Sequence, residues 1–253
     1  RTKRFGDCPE PALIAEWMQE GFTGPHYAAY ESGCTGFYMC PGILNDIPKM
    51  VAITEAVVKA VKKPVTVKTR LGYDSDHKEI VDIAERLQDV GIRALTIHGR
   101  LRTTKWGDPA DWTLIGEVKN NPRMTIPIIG NGDVVDGPSA KYFLDNYGVD
   151  GLMIGRATYG NPWIFKEIKH YLKTGEILPT PDVNERVRVA KMHLSDSLNY
   201  KKDEFYAVME MRKHWGLYFK GFVNFKQFKM KLMEVKTMEE VFAILDEVAN
   251  YYN

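Results

Sequence analysis

Ile126-Pro-Ile-Ile-Gly-Asn-Gly-Asp133, followed further on by Gly151-Leu-Met-Ile-Gly-Arg-Ala157, decides how the chain reads. Each is a short apolar run that stops at a glycine and a polar group. A parallel strand buried on both faces has this character, and it ends in a turn where backbone must approach a ligand closely. Two such runs in succession match the phosphate site of a (β/α)8 barrel, built by the loops after its last two strands. Backbone N–H groups of Gly130, Gly132 and Gly155 are candidates to face a phosphate, with Arg156 adding a bidentate charge. Either turn alone reads as two glycines used for geometry. The repetition, with Arg156 in the second turn, favours a site.

Upstream of this pair the sequence alternates. Asp46 to Val61 keeps helical period through Met50, Ile53, Val57, Val58 and Val61. Pro64-Val-Thr-Val-Lys-Thr-Arg70 is a strand ending in charge. Lys78 to Val90 is a helix closed by Gly91. Ala94-Leu-Thr-Ile-His-Gly-Arg100 is the next strand, and a helix runs from Trp112 toward Lys119. Ser139 to Asn146 is the helix between the two opening strands. Earlier, Asp7 to Glu20 reads as a capped helix, His26 to Glu31 as a strand, and Ser32-Gly33-Cys34-Thr35 as a loop. Strands alternating with helices of this length mean βα units and a parallel sheet. Chemistry-capable residues recur at the strand ends: Cys34, Lys68, Arg70, His98, Arg100, Asn131, Asp133 and Arg156. One by one they have ordinary explanations: a solvated terminus for Lys68, a satisfied turn for His98, a small buried residue for Cys34. In a barrel their ends share one face, where active sites sit.

Beyond Ile177 the pattern changes. Pro179 and Pro181 mark a hinge, and Asp182–Asn199, Glu204–Phe219 and Thr237–Tyr252 read as amphipathic helices. Thr237 and Glu240 form a capping box at the start of the last one. Between Met211 and Lys231 lie Arg212, Lys213, Lys220, Lys226, Lys229 and Lys231 with no acid. Interleaved are Trp215, Tyr218, Phe219, Phe222, Phe225 and Phe228. The aromatics read as helical core. The cations suit contacts to nucleic-acid phosphates.

The totals set bounds. With 253 residues, 44% hydrophobic, the chain can bury a full core. Its net charge of +1 neither demands nor excludes nucleic acid, so the distribution matters more. Three Cys without a C-x-x-C spacing argue against structural zinc and a disulfide framework, and fit a reducing, cytoplasmic compartment. No apolar run has the length of a membrane span. The expected partners therefore include no membrane and no metal.

At the quoted residues the sequence resembles the flavin-dependent tRNA-dihydrouridine synthases, in particular their bacterial DusB-like branch. The runs that carry the likeness are Pro64-Val-Thr-Val-Lys-Thr-Arg-Leu-Gly72, Ala94-Leu-Thr-Ile-His-Gly-Arg100, Ala110-Asp-Trp112, Ile128-Ile-Gly-Asn-Gly-Asp133, Met153-Ile-Gly-Arg156 and Gly160-Asn-Pro-Trp-Ile-Phe165. Together they are specific, and the likeness spans residues 42–253. It implies an α/β (β/α)8 TIM barrel over residues 1–177 that binds FMN, then a small all-helical domain over residues 178–253 that helps to grip tRNA. The expected protein is a monomer.

Residues 1–41 fit less well. Phe5-Gly-Asp7 and the following helix resemble the end of the third barrel strand and its helix. The family's Gly-Cys-Pro motif is met by Gly33-Cys34, but Thr35 replaces the proline, and Lys3 stands where a flavin-contacting Gln is expected. The first two βα units are absent. Six units leave two open sheet edges, which do not close a barrel. The chain is accordingly expected to be a piece of a longer protein.

The resemblance also implies a mechanism. The family reduces the C5–C6 double bond of specific uridines in tRNA, using FMN recharged by NADPH. Hydride passes from reduced flavin to C6, and C5 then takes a proton from the opposite face. A thiol suits that step, since a pKa of about 8.5 keeps it protonated at neutral pH. Position assigns the role to Cys34, with Cys40 the alternative if the loop aligns differently. Lys68 and His98 would hold the flavin ring and its developing charge, and Asn131, Gly132, Asp133, Gly155 and Arg156 its phosphate end. Arg70 and Arg100 stay unassigned between flavin and RNA. Arg212, Lys213, Lys220, Lys226 and Lys229 would meet tRNA. Two other readings remain open: an FMN barrel oxidoreductase acting on a small molecule, and a truncated or non-catalytic tRNA-binding relative.

Overall fold

The computed structural model describes residues 27–29, 35–38, 41–105 and 107–253. The expected Asp7–Glu20 helix, Lys3, Cys34 and Cys40 lie outside the described residues. The chain divides into two compact units, Arg1–Gly155 and Arg156–Asn253.

The first unit is built on six strands: β1 (Tyr27–Ala29), β2 (Thr35–Tyr38), β3 (Val65–Arg70), β4 (Ala94–His98), β5 (Ile128–Asn131) and β6 (Gly151–Met153). They lie in the sheet in chain order. From β2 to β6 every pairing is parallel, while β1 runs antiparallel to β2 with Tyr27 opposite Phe37. The sequence places Thr35 in a loop and expects no strand immediately after it; Thr35–Tyr38 is instead β2. Four residues containing a glycine are too few for a period-2 signal, and here pairing on both sides supplies the strand.

Each parallel crossover after β2 carries a helix: α1 (Ile47–Ala60), α2 (Ile80–Asp89), α3 (Thr113–Asn120) and α4 (Gly137–Tyr147). Local chemistry sets their ends. The Asp46 carboxylate accepts the Lys49 N–H at 3.1 Å to open α1, and Asp136 with Ser139 forms a capping box on α4. Gly91, at φ 98°, follows the last turn of α2 in the left-handed region that glycine favours. The helices pack side by side in the order α1, α2, α3, α4. They cover the face of the sheet that carries buried Val65, Val67, Leu95, Ile97 and Ile128. A parallel sheet with consecutive strands and one layer of helices is TIM-barrel-like. Among the described residues the sheet is open, with β1 and β6 at its edges.

The second unit begins with a 3-10 turn, Arg156–Thr158, and continues as α5 (Ile164–Thr174), α6 (Val183–Lys201), α7 (Glu204–Tyr218), α8 (Lys226–Glu234) and α9 (Met238–Tyr252). Asp182, Asp203 and Thr237 cap α6, α7 and α9 through their side chains, and Thr237 shares a capping box with Glu240. Val187, Leu194, Val208, Trp215, Leu232 and Leu245 belong to one apolar core. Trp215, Tyr218, Phe219, Phe225 and Phe228 are buried in it, so the interleaved aromatics are core and not a stacking surface. The α8 helix is absent from the sequence reading. It buries only Phe228 and Leu232, too weak a stripe to register.

Candidate functional site

Register gathers the polar residues. Lys68 on β3 is opposite Thr96 on β4, Arg70 is opposite His98, and His98 is opposite Asn131 on β5. Since side chains alternate across a sheet, Thr66, Lys68, Arg70, Thr96, His98, Ile129 and Asn131 share one face. The apolar side chains beneath the helices occupy the other. A strand covered by helices on both faces would be apolar on both. Here one face is kept polar, and its members are not loose surface residues: Thr96 is 6% exposed and Asn131 9%. Asn131 is fixed by an Nδ2–H bond to the Met153 carbonyl at 2.7 Å, which ties the end of β5 to β6.

This face is cationic. Burial, and then the neighbouring Arg70, lower the Lys68 ammonium to about 8. Burial, and then Lys68, Arg70 and Arg100, lower His98 to about 4, against an opposing pull from Asp133. At neutral pH His98 is therefore an uncharged imidazole beside positive charges. Such a face favours a ligand group that is, or becomes, negative.

The loop after β5 turns sharply. Gly132 has φ 126°, and a Cβ there would lie 2.7 Å from the Ala110 Cβ. Asp133 follows at φ 57°. Its carboxylate accepts two bonds from Arg100 Nη2, at 2.7 and 2.9 Å, and one from the Ala110 N–H at 2.7 Å. Trp112 Nε1 donates to the Gly132 carbonyl at 3.1 Å, so the turn is held from the helix side as well. Gly130 falls on the opposite face from Asn131, inside β5. There its lack of a side chain makes room for Trp112 rather than for a ligand. The role of Arg100 in holding Asp133, and the burial of Thr96, have no signal in the sequence beyond their place at strand ends.

Lys68, His98, Asn131, Gly132 and Asp133 are thus brought to one strand-end region of the first unit. Gly155 is the last residue of that unit, and Arg156 opens the 3-10 turn of the second, exposed to solvent. Among the described residues no group of three or more His, Cys, Asp or Glu gathers as a metal site. Among the same residues no helix is long and apolar enough to cross a membrane.

The basic residues of the second unit divide into two kinds. Lys213 pairs at 3.1 Å with Glu210, which immediately precedes the acid-free stretch, and Lys231 pairs at 2.6 Å with Glu247 on the last helix. Arg212 donates to the Val235 carbonyl at 3.3 Å and is partly buried. Lys220, Lys226 and Lys229 are exposed and make no ion pair among the described residues. The expectation that all these cations are uncompensated therefore holds for Lys220, Lys226 and Lys229, and is corrected for Lys213 and Lys231.

A parallel sheet in chain order, with helices on its apolar face and a polar, cationic face toward the carboxyl ends of its strands, defines a TIM-barrel-like protein. Residues 43–252 match the family described as Dihydrouridine synthase (Dus). A probable tRNA-dihydrouridine synthase of Rickettsia conorii is 36% identical over 250 residues, covering 96% of this chain and 73% of the relative. The tRNA-dihydrouridine synthase B of Pseudomonas putida is 38% identical, covering 89% of this chain and 67% of its own. A probable tRNA-dihydrouridine synthase 1 of Synechocystis is 39% identical, covering 95% and 68%. The chain belongs to the dihydrouridine synthase family.

Proposed function

We propose that the chain reduces specific uridines in tRNA to 5,6-dihydrouridine with a bound flavin, FMN, that is recharged by NADPH. The observation that carries this reading is the register that brings Lys68, His98 and Asn131 onto one polar face of an otherwise apolar sheet. The donor set fits a flavin. Lys68 and the neutral His98 offer N–H groups to a ring that gains negative charge on reduction. The glycine turn at Gly132 leaves space beside the His98 ring, whose Cδ2 would be 3.3 Å from a Cβ there. A carboxylate repels a phosphate, and Asp133 has turned its own to Arg100. Its share in a phosphate cradle with Asn131, Gly132 and Gly155 would fall to its backbone.

The flavin, when bound, supplies the hydride for C6 of the uridine. The chain's residues do the rest of the work. Lys68 and His98 hold the ring edge and stabilise its charge without reorganising at the moment of transfer. The Cys34 thiol delivers a proton to C5 from the other side, breaking S–H as C–H forms. The uridine leaves its stack to reach the site, as in other enzymes that act on bases. Lys220, Lys226 and Lys229, with Arg212 and Lys213, contact tRNA phosphates.

The test is visible absorbance of the purified protein, without oxygen, before and after NADPH, followed by an assay of dihydrouridine in tRNA. A flavin spectrum that bleaches, with dihydrouridine formed, is expected. A colourless protein that still binds tRNA would overturn the catalytic reading.

A further inference from the structure

We propose that Arg100 and Asp133 are positioning residues that fix His98 as the tautomer with its proton on Nδ1, so that a neutral imidazole presents that N–H to whatever binds the polar face. Arg100 is a buried cation, 8% exposed, and every arm of its guanidinium is committed. Nη2 donates to both carboxylate oxygens of Asp133, and Nε and Nη2 donate to the Asp108 carbonyl at 2.8 and 2.6 Å. Nη1 lies 3.1 Å from His98 Nε2. A guanidinium only donates, so Nε2 must accept. A neutral imidazole that accepts at Nε2 carries its proton on Nδ1.

The alternatives are unfavourable at this site. A proton on Nε2 would oppose the Nη1–H, and a doubly protonated ring would add a charge beside Lys68, Arg70 and Arg100, with Asp133 the one acid among the described residues acting against them. Nδ1 makes no hydrogen bond among the described residues, which leaves its N–H for a ligand acceptor. Asp133 acts one step further out. Both of its oxygens, anchored by the Ala110 N–H, hold Nη2, and with the Asp108 carbonyl on Nε and Nη2 they fix the guanidinium and so the direction of Nη1. The pair does for His98 what a carboxylate does for a metal-bound imidazole: it selects the tautomer through the nitrogen that faces away from the work.

That the acceptor is a flavin ring atom rests on the proposed function; the tautomer does not. The deciding experiment is therefore NMR of 15N-histidine-labelled protein without added flavin, with His98 assigned by loss of its signals in His98→Gln. Two-bond 1H–15N correlations are expected to show Nδ1 protonated and Nε2 bare across neutral pH, with the ring charging only near pH 4. In Arg100→Met the single tautomer should give way to a mixture, and the charging midpoint should rise toward the ordinary value of 6.5. If Arg100→Met does not fold, Arg100→Met with Asp133→Asn removes both charges and keeps the same readout. A wild-type Nε2–H tautomer, or an unchanged tautomer without Arg100, would overturn the proposal. A merely structural Arg100 would lower stability and leave both readouts where they are. Failure of the flavin reading would leave this spectrum untouched.

Discussion

The Trp112 ring lies so close under Gly130 that a Cβ on that glycine would be 2.0 Å from its Cζ3. Trp112 is buried on the helix side, stacks on Phe143 with ring centroids 4.1 Å apart, and reaches past β5 to the Gly132 carbonyl. One indole therefore joins the helical layer to the turn that shapes the candidate site.

Gly130→Ala is expected to destabilise the first unit, because rigid ring carbons and not a flexible chain end stand in the way. Overpacking of this kind costs about 1–3 kcal/mol or more. Denaturant unfolding should show a lower midpoint with an unchanged slope. A midpoint equal to that of the parent protein would mean that Trp112 moves aside freely, and that its hold on Gly132 is weak.

Much of this architecture is legible in the residues. The runs at Val65–Arg70, Ala94–His98 and Ile128–Asn131 announce parallel strands because their apolar content is high and their ends are polar. Asp46, Asp182 and Thr237 announce helix starts because a cap is a local device. What the sequence does not carry is long-range. The partner of Asp133 is 33 residues away, in the segment that follows another strand, so a residue read as a phosphate contact proves to have its carboxylate on Arg100. Gly130 and Gly132 look alike in sequence, yet alternation puts one beneath a tryptophan and the other in a left-handed turn. The same limit applies to the cations: Lys231 finds its acid 16 residues on, across a helix pair, where no local count would look.

Lys68 links the site to pH, with opposite signs for binding and for stability. Its ammonium titrates near 8 in the folded protein against 10.5 ordinarily. Below about 8 it is charged and attracts a reduced, negative flavin; above that value the attraction is lost, so reduced-flavin affinity should fall as pH rises through 8. The unfolded chain, by contrast, holds this proton more tightly. Between 8 and 10.5 it binds more protons than the folded one, and the Lys68 contribution to stability rises with pH. Lys68→Met should weaken flavin binding and flatten both trends. Parallel flavin titrations and denaturant midpoints at several pH values check this, and two trends of the same sign would rule it out.

The cations of the helical unit should not contribute equally to RNA binding. Removing Lys220, Lys226 or Lys229 takes away an exposed charge with no acid beside it. Each is expected to reduce the slope of log affinity for tRNA against log salt by about 1 if it meets a phosphate. Lys213→Ala should change the slope less, because Glu210 already offsets that charge. Filter binding of tRNA from low to moderate salt measures the slopes. Identical losses at Lys213 and Lys229 would show that the ion pair opens on binding.

The acid is the part of the mechanism that a single substitution isolates. Cys34→Ala leaves Lys68, His98 and Asn131 in place, so the protein should keep its flavin and its reduction by NADPH. Dihydrouridine formation should nearly cease, since a missing general acid costs on the order of 10²–10⁴ in rate. The two half-reactions must therefore be followed separately: flavin bleaching by absorbance, and dihydrouridine by base analysis of the tRNA. Loss of both in Cys34→Ala would make the thiol part of the binding site and not the proton donor. Full activity in Cys34→Ala, with loss in Cys40→Ala, would move the acid to Cys40. The mechanism would keep its chemistry and change its residue.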